Sequence, residues 1–190
     1  MPDPADSDEV LLQRYARGDA SAFAALYRRH ETRVWRYLAR NVGNRATAEE
    51  LMQEVWFAVA REAGRYQPSA RFTTWVFTIA RNRMIDALRV GRRQVSLDEL
   101  GYDSAAVAPQ LTAASAAAPL AVALRCEEGA ALARALAQLP GEQRDAFLLH
   151  IEGELSVEAV AAVTDSTFET TKSRLRYARA KLRELLSEYA

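Results

Sequence analysis

With 190 residues the chain can build one generous domain or two small ones, each with a real core, and its 49% apolar and 26% charged residues exclude wholesale disorder. The lone Cys126 rules out an intramolecular disulfide framework and a multi-cysteine zinc site, and with only His30 and His150 no metal-ligand cluster is visible, so neither metal nor cofactor is expected. The opening MPDPADSDEV has no basic and then apolar leader, and no apolar run reaches membrane-spanning length; the expected setting is reducing and cytoplasmic.

A net charge of zero conceals a segregation: residues 1–70, 71–93, 94–170 and 171–190 carry net 0, +5, −9 and +4. Two basic blocks at the ends of two helical units point to two contacts on a polyanion, flanking an acidic middle that should avoid it. The plainer alternative is that both are solvated helix faces.

In chain order, Ser7 followed by Asp8 and Glu9 reads as an N-cap with first-turn acids, and Gly18 as the stop after LLQRYAR. A second helix is predicted from about Asp19 to Val42, ending at Gly43, with Phe23, Leu26, Tyr27, Val34 and Leu38 near helical spacing. A third opens on a capping box from Thr47 to Glu50 and runs to about Ala63. Pro68 interrupts the chain, and a fourth helix follows from about Phe72 to Val90, closed by Gly91. Residues 94–119, rich in Ala and Ser with Pro109 and Pro119, read as a flexible linker. Four more helices are predicted at about 120–138, 141–152, 156–163 and 167–188. No strand alternates convincingly, so the expected fold is all-α: two small helical domains, residues 1–93 and 120–190, on a tether.

Residues 65–93 hold seven arginines and four aromatics, Tyr66, Phe72, Trp75 and Phe77, against one acid. A duplex surface uses the charge but not the rings, and a core helix the rings but not the charge. Single-stranded nucleic acid uses both, since cations follow phosphates while exposed bases stack on rings. Trp75 and Phe77 fit the core as well as a base.

No phosphate loop, nucleophile elbow, HExxH or CxxC occurs, and neither histidine has a partner nearby in sequence, so no enzyme is expected. His30, beside Arg28 and Arg29, reads as a surface residue, and His150 as a helix-packing one. In the last unit, the short helix from Ser156, the polar turn Thr164–Thr167 and the next helix have helix-turn-helix spacing, with Ala161 or Ala162 at the close crossing. Glu169, Thr170, Lys172, Ser173, Arg174 and Arg176 occupy the first turns, at the end that reaches base edges, and Arg176, Arg179, Lys181 and Arg183 further along would meet phosphates. An ordinary helical hairpin with a solvated face is the alternative. Glu50, Gln53, Glu54 and Phe57 fall at i, i+3, i+4 and i+7, one acidic stripe with a phenyl ring, while Leu51, Val55, Ala58 and Val59 face inward. That pattern fits a protein-docking face or a solvated acidic helix.

Taken in order and spacing, DEVLLQRYARGDASAFAALYRRH, TAEELMQEVWFAVARE, RFTTWVFTIARNRMIDALR and LPGEQRDAFLLHIEGELSVEAVAAV…TKSRLRYARAKLRELL resemble the two regions of the extracytoplasmic-function sigma factors of bacterial RNA polymerase. The resemblance covers nearly the whole chain apart from the tail before Asp8 and the linker. It implies that the first unit binds the clamp helices of the largest polymerase subunit and melts the minus-ten element, while the second meets the flap and reads the minus-thirty-five duplex. The polymerase-binding positions are then Glu50, Gln53, Glu54 and Phe57. The non-template single strand falls to Tyr66, Gln67, Ser69, Arg71, Asn82 and Arg83, with Arg89, Arg92 and Arg93 near the upstream backbone. Glu169, Thr170, Lys172, Ser173, Arg174, Arg176 and Arg179 take the upstream duplex. An anti-sigma factor clasping both units is also implied, and no membrane contact.

The sequence departs from the family at the turn. Asp165 and Ser166 stand where Gly and an apolar residue are usual, and Thr171 stands at an expected apolar position, so weaker hydrophobic anchoring of the last helix is expected. A free-standing helix-turn-helix regulator is the rival reading, but such a protein has no need of an acidic docking stripe beside a basic, aromatic strand-binding helix.

Overall fold

The structure, a computed structural model, describes residues 6–66, 71–98 and 129–187, with 90–98 as backbone alone. Eight α-helices and one 3-10 turn (Ala63–Arg65) make up its regular elements, and no strand occurs among the described residues. The helices are α1 (Asp8–Ala16), α2 (Ala20–Val42), α3 (Arg45–Glu62), α4 (Phe72–Asp98), α5 (129–137), α6 (Gly141–Ile151), α7 (Val157–Thr164) and α8 (Phe168–Leu185).

Most boundaries are set by the local chemistry read above. Ser7, Asp19, Ser156 and Thr167 each accept a backbone N–H from the first turn of the helix they precede, satisfying one of its orphan donors. Gly43 closes α2 in the left-handed region at φ 68°, where a side chain would be strained. Three boundaries differ from expectation, among them the end of α8, which falls at Leu185 and not near residue 188. α3 starts at Arg45, not at Thr47: the Asn44 side chain accepts the Thr47 N–H at 3.1 Å. Asn is as good a cap as Thr, and capping there adds a turn and leaves Glu50 out of any capping role. α4 does not stop at Gly91 but continues to Asp98, into the stretch expected as linker. A glycine inside a helix costs only about 1 kcal/mol relative to alanine and forces no end. The rest of the expected linker, and the part of the 120–138 helix before residue 129, lie outside the described residues.

The first four helices enclose Leu11, Leu12, Leu26, Val34, Leu38, Val55, Val59, Phe72, Val76 and Phe77, all fully buried. α5 to α8 close on Leu136, Leu148, Leu149, Val160, Leu175 and Ala178. Of the two alanines proposed for the α7–α8 crossing, Ala161 is buried and Ala162 exposed. The two halves also pack on one another, α2 against α6 and α4 against α7.

Polar groups line that junction. The Tyr37 hydroxyl, fully buried on α2, donates to Asp145 Oδ1 at 2.8 Å, and Arg81 Nε of α4 donates to Asp145 Oδ2 at 2.7 Å. Burial, then the adjacent Asp145 carboxylate, pushes the Tyr37 hydroxyl pKa well above its ordinary value. Arg33 reaches the Glu152 carbonyl at 2.8 Å and the Glu154 carboxylate at 3.1 Å, and Arg40 pairs with the buried Glu152 carboxylate. Part of the acidic middle therefore neutralises arginines of the first half, a use of those charges that composition alone does not reveal.

Candidate docking and nucleic-acid surfaces

On α3 the helical period separates two faces cleanly. Leu51, Val55, Ala58 and Val59 are buried, whereas Glu50, Gln53, Glu54 and Phe57 are all exposed, Phe57 at 73%. Among the described residues none of the three polar side chains in this stripe has a hydrogen-bond or ion-pair partner. Beside it opens a groove of about 370 Å³ lined by Phe23 and Tyr27 of α2 and by Met52, Gln53, Trp56, Phe57 and Ala60 of α3. Trp56 anchors its floor edge-on to Phe23 (ring centroids 5.8 Å) and against Tyr27 (4.9 Å), with its indole N–H buried and without an acceptor among the described residues. The apolar spacing of Phe23 and Tyr27 reads as core, and only the half-filled packing turns them into a groove wall.

The arginine-rich stretch divides between interior and surface. Phe72 and Phe77 are core, and Phe77 meets Tyr37 edge-on at 5.5 Å. Trp75 is half-buried and supports Tyr66, the two rings tilted by 58° with centroids 5.0 Å apart, at the point where the chain enters α4. Burial, then the Glu9 and Asp8 charges, raise the Tyr66 pKa, so its hydroxyl stays protonated. Arg71, Asn82 and Arg89 are exposed and Arg83 half-buried, with Arg89 3.9 Å from Asp86. Gln67 and Ser69 lie outside the described residues, as do the side chains of Arg92 and Arg93. Arg81, one residue from Asn82, is not a surface cation: it is committed to Asp145 and to the Val163 carbonyl at 3.3 Å.

An acidic clamp from α1 holds the start of α4. Glu9 Oε1 accepts the Phe72 N–H at 2.9 Å, so a carboxylate from 63 residues away caps the helix. Burial alone would raise the Glu9 pKa, but this bond and its neighbours hold it below the usual value. Next to it, His30 departs from the surface position expected of it. Only 3% of it is exposed, Nε2 lies 2.7 Å from Asp8 Oδ2, and its ring packs on Phe72 at 5.1 Å. The Asp8 partner is 22 residues away, out of reach of any local pattern. Burial opposes the Asp8 charge, but hydrogen bonds from His30 and Arg29 outweigh it and keep that carboxyl below its usual range.

The last two helices form the predicted helix-turn-helix. Asp165 adopts the left-handed conformation at φ 50°, ψ 48°, and the Ser166 N–H returns to the Ala161 carbonyl at 3.0 Å, a closure that satisfies one of the last carbonyls of α7. On α8, Glu169, Thr170, Lys172, Arg176 and Arg179 are exposed and Ser173 is half-buried. Arg174 turns back to pair with Glu142 of α6, and Arg176 lies over the Tyr177 ring at 4.9 Å. Thr171 is fully buried, but through hydrogen bonds where an apolar anchor was expected.

Residues 26–94 match the Sigma-70 region 2 model and residues 129–182 the Sigma-70 region 4 model. The chain is 35% identical over 191 residues to the ECF RNA polymerase sigma factor RpoE of Cereibacter sphaeroides, covering 98% of this chain and all of that one. It is also 35% identical over 177 residues to the RNA polymerase sigma factor CarQ of Myxococcus xanthus, covering 93% and 96%. The chain belongs to the ECF RNA polymerase sigma factors. It therefore directs promoter-specific transcription by RNA polymerase, and the free-standing regulator is set aside. The fold agrees: the sigma factor RpoE from the Bartonella quintana RpoE–NepR complex superposes with TM-score 0.70 at 23% identity (87% of this chain, 96% of that one), and CnrH from its complex with CnrY with TM-score 0.67 at 23% identity (97% and 100%). Among the described residues this sigma factor has no helix long and apolar enough to cross a membrane, and no group of residues placed to hold a metal ion.

Proposed function

We propose a division of labour over three surfaces. The α3 stripe with its groove docks on the clamp helices of core polymerase. The junction of Tyr66 and α4 takes the non-template strand of the minus-ten element, and α8 enters the major groove of the minus-thirty-five duplex while its unit meets the flap. In domain terms, residues 1–93 dock and melt, and 120–190 read upstream, with the stretch between spanning the two elements. The observation that carries the reading is the α3 stripe: two carboxylates, an amide and a phenyl ring stand exposed on a helix whose other face is core, beside an apolar groove. Exposed charge orients a partner, and an aromatic anchor beside an empty apolar wall supplies the buried centre of an interface.

The protein performs no chemistry itself; polymerase does. It acts in the cytoplasm, where polymerase and promoter are. Its regulator is an anti-sigma factor clasping both halves, as the Bartonella quintana RpoE is in complex with the anti-sigma factor NepR.

Strand capture is tested by Asn82→Ala and Tyr66→Ala on duplex and pre-melted templates. Neither residue is charged, so closed-complex formation survives. What is lost is stacking and pocket contact, about 1 to 3 kcal/mol per base, a gain that exists only after strands part. A bubble across the minus-ten element restores most transcription because the unpairing cost is already met. Equal failure on both templates, with reduced helicity, assigns these residues to the core and contradicts the strand-capture role.

A further inference from the structure

The turn between α7 and α8 holds a chain of hydroxyls whose hydrogen-bond direction can be derived. Thr164 Oγ1 lies 2.8 Å from the Val160 carbonyl, with the Ala161 carbonyl more distant at 3.5 Å. A carbonyl only accepts, so the single Thr164 proton is committed there. Ser166 Oγ is 2.9 Å from Thr164 Oγ1 and must therefore be the donor of that pair. With the Ser166 proton spent, Thr171 Oγ1, 2.7 Å from Ser166 Oγ, must donate in its turn. One polarised series results: Thr171 to Ser166 to Thr164 to the Val160 carbonyl. Each hydroxyl after the first accepts one bond and donates one, and bonds in such a series reinforce one another where water is excluded. Thr171 is fully buried, and Thr164 and Ser166 half-buried.

The series runs from the last turn of α7 to the first turns of α8, crossing Asp165 in its left-handed conformation. An apolar contact at the same place would be non-directional, and two greasy surfaces slide and roll with little penalty. A hydrogen bond prefers a narrow distance and an angle above about 150°, so the one bond that ends on α8, from Thr171 to a Ser166 hydroxyl itself tied through Thr164 to α7, resists roll of α8 about its own axis. The residues flanking Thr171 are Glu169, Thr170, Lys172 and Ser173, on the end of α8 assigned above to base edges. Thr170 is held separately: the Thr167 hydroxyl donates to Thr170 Oγ1 at 2.8 Å, which leaves the Thr170 proton for an outside acceptor.

We propose that Thr164, Ser166 and Thr171 are positioning residues for base readout, setting the rotation at which α8 presents its base-contacting side chains. The proposal rests on the reading that α8 enters the upstream major groove, and the experiment separates the two. Holoenzyme is formed from core polymerase and the full chain carrying Thr171→Val, Ser166→Ala, Thr171→Ser or Lys172→Ala. Each is offered duplexes randomised across the upstream element, and the bound sequences are read. Thr171→Val and Ser166→Ala leave a hydroxyl of the series without its partner, and discrimination between the best site and its single mismatches falls about tenfold, with the salt slope unchanged because no phosphate contact is lost. Thr171→Ser restores the hydroxyl and keeps discrimination within about twofold of the parent, which a purely space-filling role does not allow. Circular dichroism verifies folding. Should Thr171→Val fail to fold, Ser166→Ala, at a half-exposed position, decides. Parental discrimination in the folded valine or alanine variant overturns the proposal when Lys172→Ala weakens binding, and so does an equal loss in Thr171→Ser. If Lys172→Ala also leaves upstream binding untouched, the assignment of α8 itself fails.

Discussion

The two helices assigned to partners, α3 and α8, prepare their outer faces in opposite ways. On α3 the stripe is cleared: Glu50, Gln53 and Glu54 engage no described residue, and Phe57 stands beside an unfilled groove. On α8 the face is pre-arranged: Arg174 is paired with Glu142, Arg176 lies over Tyr177, Thr170 is held by Thr167, and Thr171 is tied through Ser166 to α7. The difference follows from what each partner demands. A protein interface takes most of its strength from a few buried anchors and tolerates rearrangement at the rim, so loose side chains cost little. Base readout needs donors and acceptors within a narrow geometry of groove edges, and a side chain already held loses less entropy on binding.

The strongest way to sharpen this comparison is to contrast the two faces of α3 itself. Leu51→Ala, on the buried face, is expected to lower stability by about 2 to 5 kcal/mol in urea unfolding. Phe57→Ala, on the stripe, changes it by no more than about 0.5 kcal/mol, because a side chain so exposed has little contact to lose. A large stability loss in Phe57→Ala makes the stripe structural and ends the comparison.

On α8 the effects are smaller and graded by how far each cation is already committed. Lys172→Ala or Arg176→Ala lowers the salt slope of upstream duplex binding by about one if the lost contact is to phosphate, or removes about 1 to 3 kcal/mol at one base position if it is to an edge. Arg174→Ala does less, below about 1 kcal/mol, since its charge already serves Glu142. Footprint titrations at several salt concentrations check both. An Arg174→Ala defect equal to that of Lys172→Ala contradicts the commitment of Arg174 to Glu142.

How much of this was legible in the sequence depends on the range of the interaction. Ser7, Asp19, Ser156 and Thr167 act on backbone two or three residues away, and each start was readable from residue type. The two faces of α3 were readable because helical period alone assigns them. Groups whose partners are distant in the chain were not. His30 looked like surface because Asp8 is 22 residues off, and the sequence gives no sign that Tyr37 and Arg81 share Asp145, 108 and 64 residues away. Asp145 and Glu152 read only as members of the acidic middle, and the fold makes them buried counter-ions. At the turn, replacing apolar residues by Ser166 and Thr171 read as a weakening, because a linear sequence does not reveal that their hydroxyls meet. Gly91 misled in the other direction, since it permits a helix end without requiring one.

The central claim is that docking and upstream reading sit on separate helices, and size exclusion with core polymerase followed by upstream footprinting tests it most directly. The chain carrying Glu50→Lys, Glu54→Lys and Phe57→Ala is predicted to elute apart from polymerase with helicity intact. The chain carrying Lys172→Ala and Arg176→Ala is predicted to co-elute fully and leave the upstream element unprotected. Co-elution of the first variant, or loss of co-elution by the second, contradicts the account.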